Sequence, residues 1–129
     1  MPIFSNISKQ RLASCHPDLQ TLFNEVIKEF DCSIICGHRG QVEQEAAFNA
    51  GKSELHYPYG NHNAIPSNAV DVAPYPIDWG NLERFGQLAA IVLVKAKELK
   101  DAGKIETDIQ WGGDWPNFKD YSHFERILT

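Results

Sequence analysis

From Asn81 to Gly103 apolar residues return every three or four positions. Leu82, Phe85, Leu88, Ala89, Val92, Ala96 and Leu99 form one stripe, and Ile91, Leu93 and Val94 widen it. A stripe this broad must be covered on several sides, so the spacing predicts a central buried helix. Asn81 is placed to cap its start, and Gly103 follows its last residue, Ala102.

The shorter elements follow from the same kind of pattern. Pro17 suits the first turn of a helix, and Leu19, Leu22, Phe23, Val26, Ile27 and Phe30 make its apolar face. A short helix over Ser8 to Ser14 precedes it. The Ala- and Glu-rich run from Gln41 to Ala50 is helical, with Gly51 as its stop. Asp31 to Gly37, Asn68 to Ala73, Thr107 to Trp111 and Ser122 to Leu128 read as strands. Lys52 to Ser67 has turn residues and no period; a loop of about 16 residues inside a compact domain is usually functional or disordered. The sum is an α+β class, helices against a small antiparallel sheet, in a single domain over residues 1–129.

At 129 residues the chain can bury a core without staples. Its net charge of -5 argues against nucleic acid and anionic membranes as partners. No apolar run reaches the ~20 residues of a membrane span. The start, Met1 to Asn6, lacks the basic and apolar regions of a leader, so synthesis in the cytosol is expected. Cys15, Cys32 and Cys36 are odd in number and are expected as reduced, buried thiols. Cys32-x3-Cys36 could be half of a metal site, but the even spacing on one strand suits both thiols pointing into the core.

Two segments carry chemistry. The first runs from His62 to Asp71, the second from Asp120 to Glu125. A hydrolytic zinc needs three N/O ligands, an open position for water, and a carboxylate off the metal to move protons. His62, Asp71 and His123 can be the ligands and Asp120 the proton carrier. Asp71 stands between Val70 and Val72, where an acid is costly to bury unless it pairs or binds a metal. The competing reading is an Asp at a sheet edge that caps the loop. Asp120 and His123 are three residues apart across a turn and can reach one point; a surface pair is the alternative. His16, His38 and His56 are further candidate ligands on composition. Arg39, in Gly37-His38-Arg39-Gly40 at a strand end, can donate to a developing oxyanion or simply be solvated. Two glycines between Trp111 and Trp115 imply tight backbone beside large flat side chains, a candidate substrate wall.

These residues also fall into a familiar order. His-Asn-x2-Pro-Ser-x-Ala-Val-Asp-Val-x-Pro-Tyr-Pro (62–76), Trp-Gly-Gly-Asp-Trp (111–115) and Asp-x2-His-Phe-Glu (120–125) resemble the phage-type zinc peptidases of the D-Ala-D-Ala carboxypeptidase and L-alanyl-D-glutamate endopeptidase family. Gly37-x-Arg39-x4-Gln44 resembles that family's upstream segment. The resemblance spans residues 32 to 126 and rests on four motifs in order.

The resemblance implies zinc as cofactor, His62, Asp71 and His123 as its ligands, Asp120 as general base and Arg39 on the oxyanion. It implies the small α+β zinc-peptidase fold shared with hedgehog-type signalling domains. Chains of this length resemble endolysins of phages that infect Gram-negative hosts. The expected substrate is the peptidoglycan stem peptide, cut at L-Ala-D-Glu by a monomer that reaches the wall through holin-type release. Cleavage of a terminal D-Ala is the nearest alternative; a zinc module that only binds wall or peptide, or a phage protein with a vestigial site, are the others. Relatives often carry Ser two residues before the first His ligand, where this chain has Gly60. Glu43, Glu45 and Glu54 form no calcium loop, and calcium regulation is not expected.

Overall fold

A computed structural model describes residues 2–128. The periodic stretch is the longest helix, α4 (Leu82–Asp101). The Asn81 side chain accepts the Arg84 amide at its start, and Gly103 follows with φ 74°. Ahead of it come α1 (Asn6–Ala13), α2 (Pro17–Val26), β1 (Cys32–Cys36), α3 (Gln41–Asn49) and β2 (Ala69–Pro74). After it come β3 (Ile109–Trp111) and β4 (His123–Arg126). The strands form a four-stranded antiparallel sheet in the order β1-β2-β4-β3. The α+β architecture expected from the sequence is therefore present. Among the described residues no helix is long and apolar enough to cross a membrane.

The sheet separates two environments. Strand side chains alternate between faces, so Val70, Val72, Ile34 and Phe124 enter the core with α2 and α4. Phe23 of α2 meets Phe124 edge to face at 5.6 Å. Asp71 and His123, paired across β2 and β4, lie on the opposite face. Asp71 is thus on an interior strand, and the sheet-edge reading of it does not hold. The outer edge of β1 is closed by α1: Ser8 Oγ accepts the Ile34 amide, and Arg11 donates to the Ile34 carbonyl.

One expectation for the cysteines fails. Cys32 is buried in the core, but the pairing of β1 with β2 slips between Ile34 and Cys36. That irregularity sets Cys36 opposite Asp71, on the site face. The three thiols are free, as expected.

Asp18 shows how the ends of the fold are tied. It is buried at the start of α2 and accepts the Glu106 and Thr107 amides and the Thr107 hydroxyl. Arg126 Nε lies 3.5 Å from it. Burial alone would raise the carboxyl, but Thr107 and the two amides outweigh it and hold it below the usual carboxylate range. A carboxyl depressed on folding stabilises above its unfolded pKa of ~3.9 and loses that contribution as pH falls through the lower folded value. Asp18→Ala is therefore expected to cost about 2–4 kcal/mol at neutral pH. Denaturant titrations should show the gap to wild type narrowing below about pH 4; a gap constant down to pH 2 would remove the carboxylate as its cause.

Candidate metal centre

The chain brings the two sequence segments together. A 3-10 turn over Asn61–Asn63 carries His62, β2 carries Asp71, and β4 opens with His123. His62 Nε2 is 3.3 Å from Asp71 Oδ1 and 3.3 Å from His123 Nδ1. His123 Nδ1 is 3.2 Å from Asp71 Oδ1. The three atoms make a nearly equilateral triangle. Donors placed tetrahedrally at ~2.0–2.1 Å from a zinc ion stand ~3.3–3.4 Å apart, so the triangle has the size such an ion requires.

The far nitrogen of each imidazole is held. His62 Nδ1 lies 2.7 Å from the Gly37 carbonyl, which can only accept, so Nδ1 carries the proton. His123 Nε2 lies 2.7 Å from Glu125 Oε1 and likewise donates. With the inner nitrogens deprotonated, as a bound cation would require, each ring turns a lone pair toward Asp71, the arrangement metal-binding histidines adopt. Three donor atoms converging on one point suit a cation that displaces the inner protons. Burial alone would lower both imidazoles, but bonding to Asp71, helped by Cys36 and Glu125, outweighs it. His62 is pushed up to about 10, and His123 is also raised. Burial would raise Asp71, yet the two histidines hold it well below the carboxylate range. The cluster favours positive charge at its centre. The donor set therefore fits zinc.

Asp120 stands beside this triangle. Its Oδ2 is 4.0 Å from His123 Nδ1, and its side chain is 27% exposed, against 13% for Asp71. Burial and the charge of Asp71 raise its pKa. Gly112 makes this position accessible: a Cβ there would collide with the Asp120 carbonyl, and the Gly112 carbonyl accepts the Asp120 amide at 3.1 Å. The Trp-Gly-Gly-Asp-Trp run thus serves two ends. Trp111 packs against the core and donates to the Tyr121 carbonyl, while Trp115 faces the His123 ring at 5.1 Å between centroids.

Arg39 does reach the site, in an unexpected attitude. One guanidinium nitrogen is 3.4 Å from Asp71 Oδ2, and the other donates to Gln44 Oε1 at 3.1 Å. Gln44 is buried; its amide group holds Ser53 and the Leu55 carbonyl, and its oxygen also accepts from Asn63. One side chain thereby joins Arg39, the long loop and the turn that bears His62. The same packing accounts for Gly60: a Cβ there would lie 2.8 Å from Asn63 Oδ1 and 3.1 Å from Gln44 Oε1. Asn63 accepts the Gly60 amide directly, occupying the space a serine would need.

The other histidines lie elsewhere. His16 caps α2 by accepting the Asp18 amide, His38 bonds the Ala64 carbonyl, and His56 bonds Glu45 and stacks on Phe48. Gln44 and Glu125 were not assigned from the sequence. Glu125 had a signal: two positions beyond His123 on a strand, it must share that face. It also accepts from Asn61 and Gln110.

Two cavities of about 420 and 530 Å³ adjoin the triangle. His62, His123 and Trp115 line the first, and Asp71, Trp79 and Lys119 the second. Arg39, Lys52, Phe118 and Asp120 line both, so they form the saddle between two halves of one groove.

Known proteins resemble this chain in sequence and in fold. Residues 2–127 match the sequence model of the phage L-alanyl-D-glutamate peptidase family. Among solved structures, the chain is similar to the L-Ala D-Glu endopeptidase ChiX of Serratia marcescens. The two share 26% identity and superpose with a TM-score of 0.78, covering 97% of this chain and 90% of that one.

Proposed function

Because the chain belongs to the phage L-alanyl-D-glutamate peptidase family, and is thereby a peptidase of peptidoglycan, we propose that it works as a zinc enzyme through the triangle of His62, Asp71 and His123. The observation that carries this reading is the convergence of three donors 3.2–3.3 Å apart, with both outer imidazole nitrogens already held.

Zinc bound there would supply a Lewis acid for the scissile carbonyl and lower the pKa of a water toward ~7. The protein groups do the rest. Asp120, exposed to the groove, accepts a proton from the attacking water and returns it to the leaving amine of D-glutamate. Its raised pKa suits a group that must hold a proton between those steps. Glu125 and the Gly37 carbonyl fix the imidazole tautomers. Arg39 orients Asp71 and borders both cavities, and on this reading its guanidinium donates to the developing oxyanion. Trp115 walls the groove beside His123. The enzyme acts as a monomeric endolysin, reaching the wall after holin-type release.

Arg39→Ala is expected to cost about 10²–10³ in kcat, the usual loss for one oxyanion donor. Zinc titration separates its two roles, since loss of an outer partner of a ligand also weakens metal binding about 10–100-fold. A variant with normal kcat would end the oxyanion assignment.

The test of the proposal as a whole is digestion of purified Gram-negative peptidoglycan with mass spectrometry of the fragments. New D-glutamate amino ends, abolished by chelator and restored by one equivalent of zinc, are expected. Full activity in rigorously metal-free protein would overturn the zinc reading. Release of terminal D-Ala alone would overturn the assigned bond.

A further inference from the structure

Of the four residues on the saddle, three already have work. Asp120 is the proton carrier, Phe118 is an apolar wall, and Arg39 is engaged by Asp71 and Gln44. Lys52 is different. Lys28, Lys95, Lys97 and Lys100 each pair with a carboxylate within 4.0 Å; among the described residues Lys52, like Lys9, Lys104 and Lys119, has no such partner, and of these four it alone lines both cavities. Its backbone is nonetheless fixed, since the Lys52 and Ser53 amides both donate to the Ala47 carbonyl just past α3. Lys52 thus has a fixed backbone, is exposed, and lines both cavities, with an ammonium free to reach a ligand on the saddle.

The substrate has a charge that must come to this point. In a stem peptide, D-glutamate continues the chain through its γ-carboxyl, so its α-carboxylate stays free. That carboxylate is attached to the carbon that bears the leaving amine. By bond lengths, its carbon lies ~2.5 Å from the nitrogen of the scissile bond. When the bond spans the saddle beside Asp120, the carboxylate lies on the saddle too. Lys119 lines only the second cavity, and its ammonium donates to the Gly113 carbonyl at 3.3 Å.

Resting on the reading above, we propose that Lys52 is a specificity-determining residue that binds the free α-carboxylate of the D-glutamyl residue. It gives the enzyme preference for an acidic over an amidated stem peptide. A charge-assisted contact of this kind distinguishes a carboxylate from its carboxamide.

The test uses two peptides, N-acetyl-L-Ala-D-Glu extended through the γ-carboxyl by lysine, and the same peptide with the α-carboxyl as carboxamide. Wild-type zinc enzyme is expected to favour the carboxylate about tenfold or more in kcat/KM, chiefly through KM. Lys52→Gln should bring that ratio near one, Lys52→Glu should push it below one, and Lys52→Arg should keep it. A wild-type ratio near one, or a Lys52→Gln ratio equal to wild type, overturns the inference and leaves the proposed function standing. The same holds if Lys119→Gln, rather than Lys52→Gln, abolishes the preference. Cleavage of neither peptide by zinc-loaded wild type would overturn the proposed function and the inference with it.

Discussion

Asp120→Ala is expected to bind zinc as wild type does and to cleave the stem peptide about 10²–10⁴-fold more slowly. The separation of these two readouts is the substance of the prediction. Oδ2 of Asp120 lies 4.0 Å from His123 Nδ1, outside the triangle whose sides are 3.2–3.3 Å. Yet Asp71, Asp120 and His123 offer donor atoms within 4.8 Å of one another, so Asp120 is near enough to be a rival ligand. The two roles part on measurement. A base lost by truncation leaves metal stoichiometry and affinity intact, whereas a lost ligand takes the metal with it. Zinc titration beside steady-state kinetics decides between them. A near-wild-type rate in Asp120→Ala would sink the base assignment.

The second large effect belongs to His123. His123→Ala should bind zinc far more weakly and lose detectable hydrolysis, because it deletes one corner of the triangle. The scale is set by Glu125, whose removal should weaken zinc about 10–100-fold by freeing the imidazole it orients. Loss of His123 itself should exceed that. Circular dichroism must show the variant folded, since Glu125 and Asp71 both lose a partner. Cys36, His62 and Asp71 form a second group of donors within 4.8 Å. Zinc retained by His123→Ala but lost by Cys36→Ala would move the centre to that set.

Local signals in the sequence were legible where short-range physics decides. The long helix has its period, its Asn81 cap and its terminal glycine within one stretch, and it ends within a residue of expectation. Strand identity was also legible, though lengths were not. Thr107 leaves the expected strand because its amide and hydroxyl go to Asp18, a residue 89 positions away. No local pattern holds that information. The same is true of strand order: nothing around Asp71 says that two strands flank it. Cys36 was misread because alternation assumes an unbroken ladder, and the ladder slips just before it. At the site, residue types and spacing marked His62, Asp71, Asp120, His123 and Arg39 as candidates and left a bland alternative beside most of them; the family resemblance supplied the roles, and all five line the two adjoining cavities. The sequence could not reveal that the Gly37 carbonyl holds His62, since a carbonyl carries no sequence signature. Nor could it reveal Gln44 as the tie between Arg39 and the loop.

The strand order has a consequence for how the enzyme comes into being. β4 is the last strand along the chain, yet it lies between β2 and β3, and β3 pairs with nothing else in the sheet. A growing polypeptide that has passed Trp111 but not Arg126 possesses two of the three donors and an orphan strand. Closing the pairing spans 52 residues from Asp71 to His123, a contact made slow by the entropy of so long a loop. The insertion of β4 therefore completes the described sheet, delivers the third proposed donor and brings Asp120 beside it. On the proposed zinc mechanism, an enzyme built in this order becomes active only once β4 is in place.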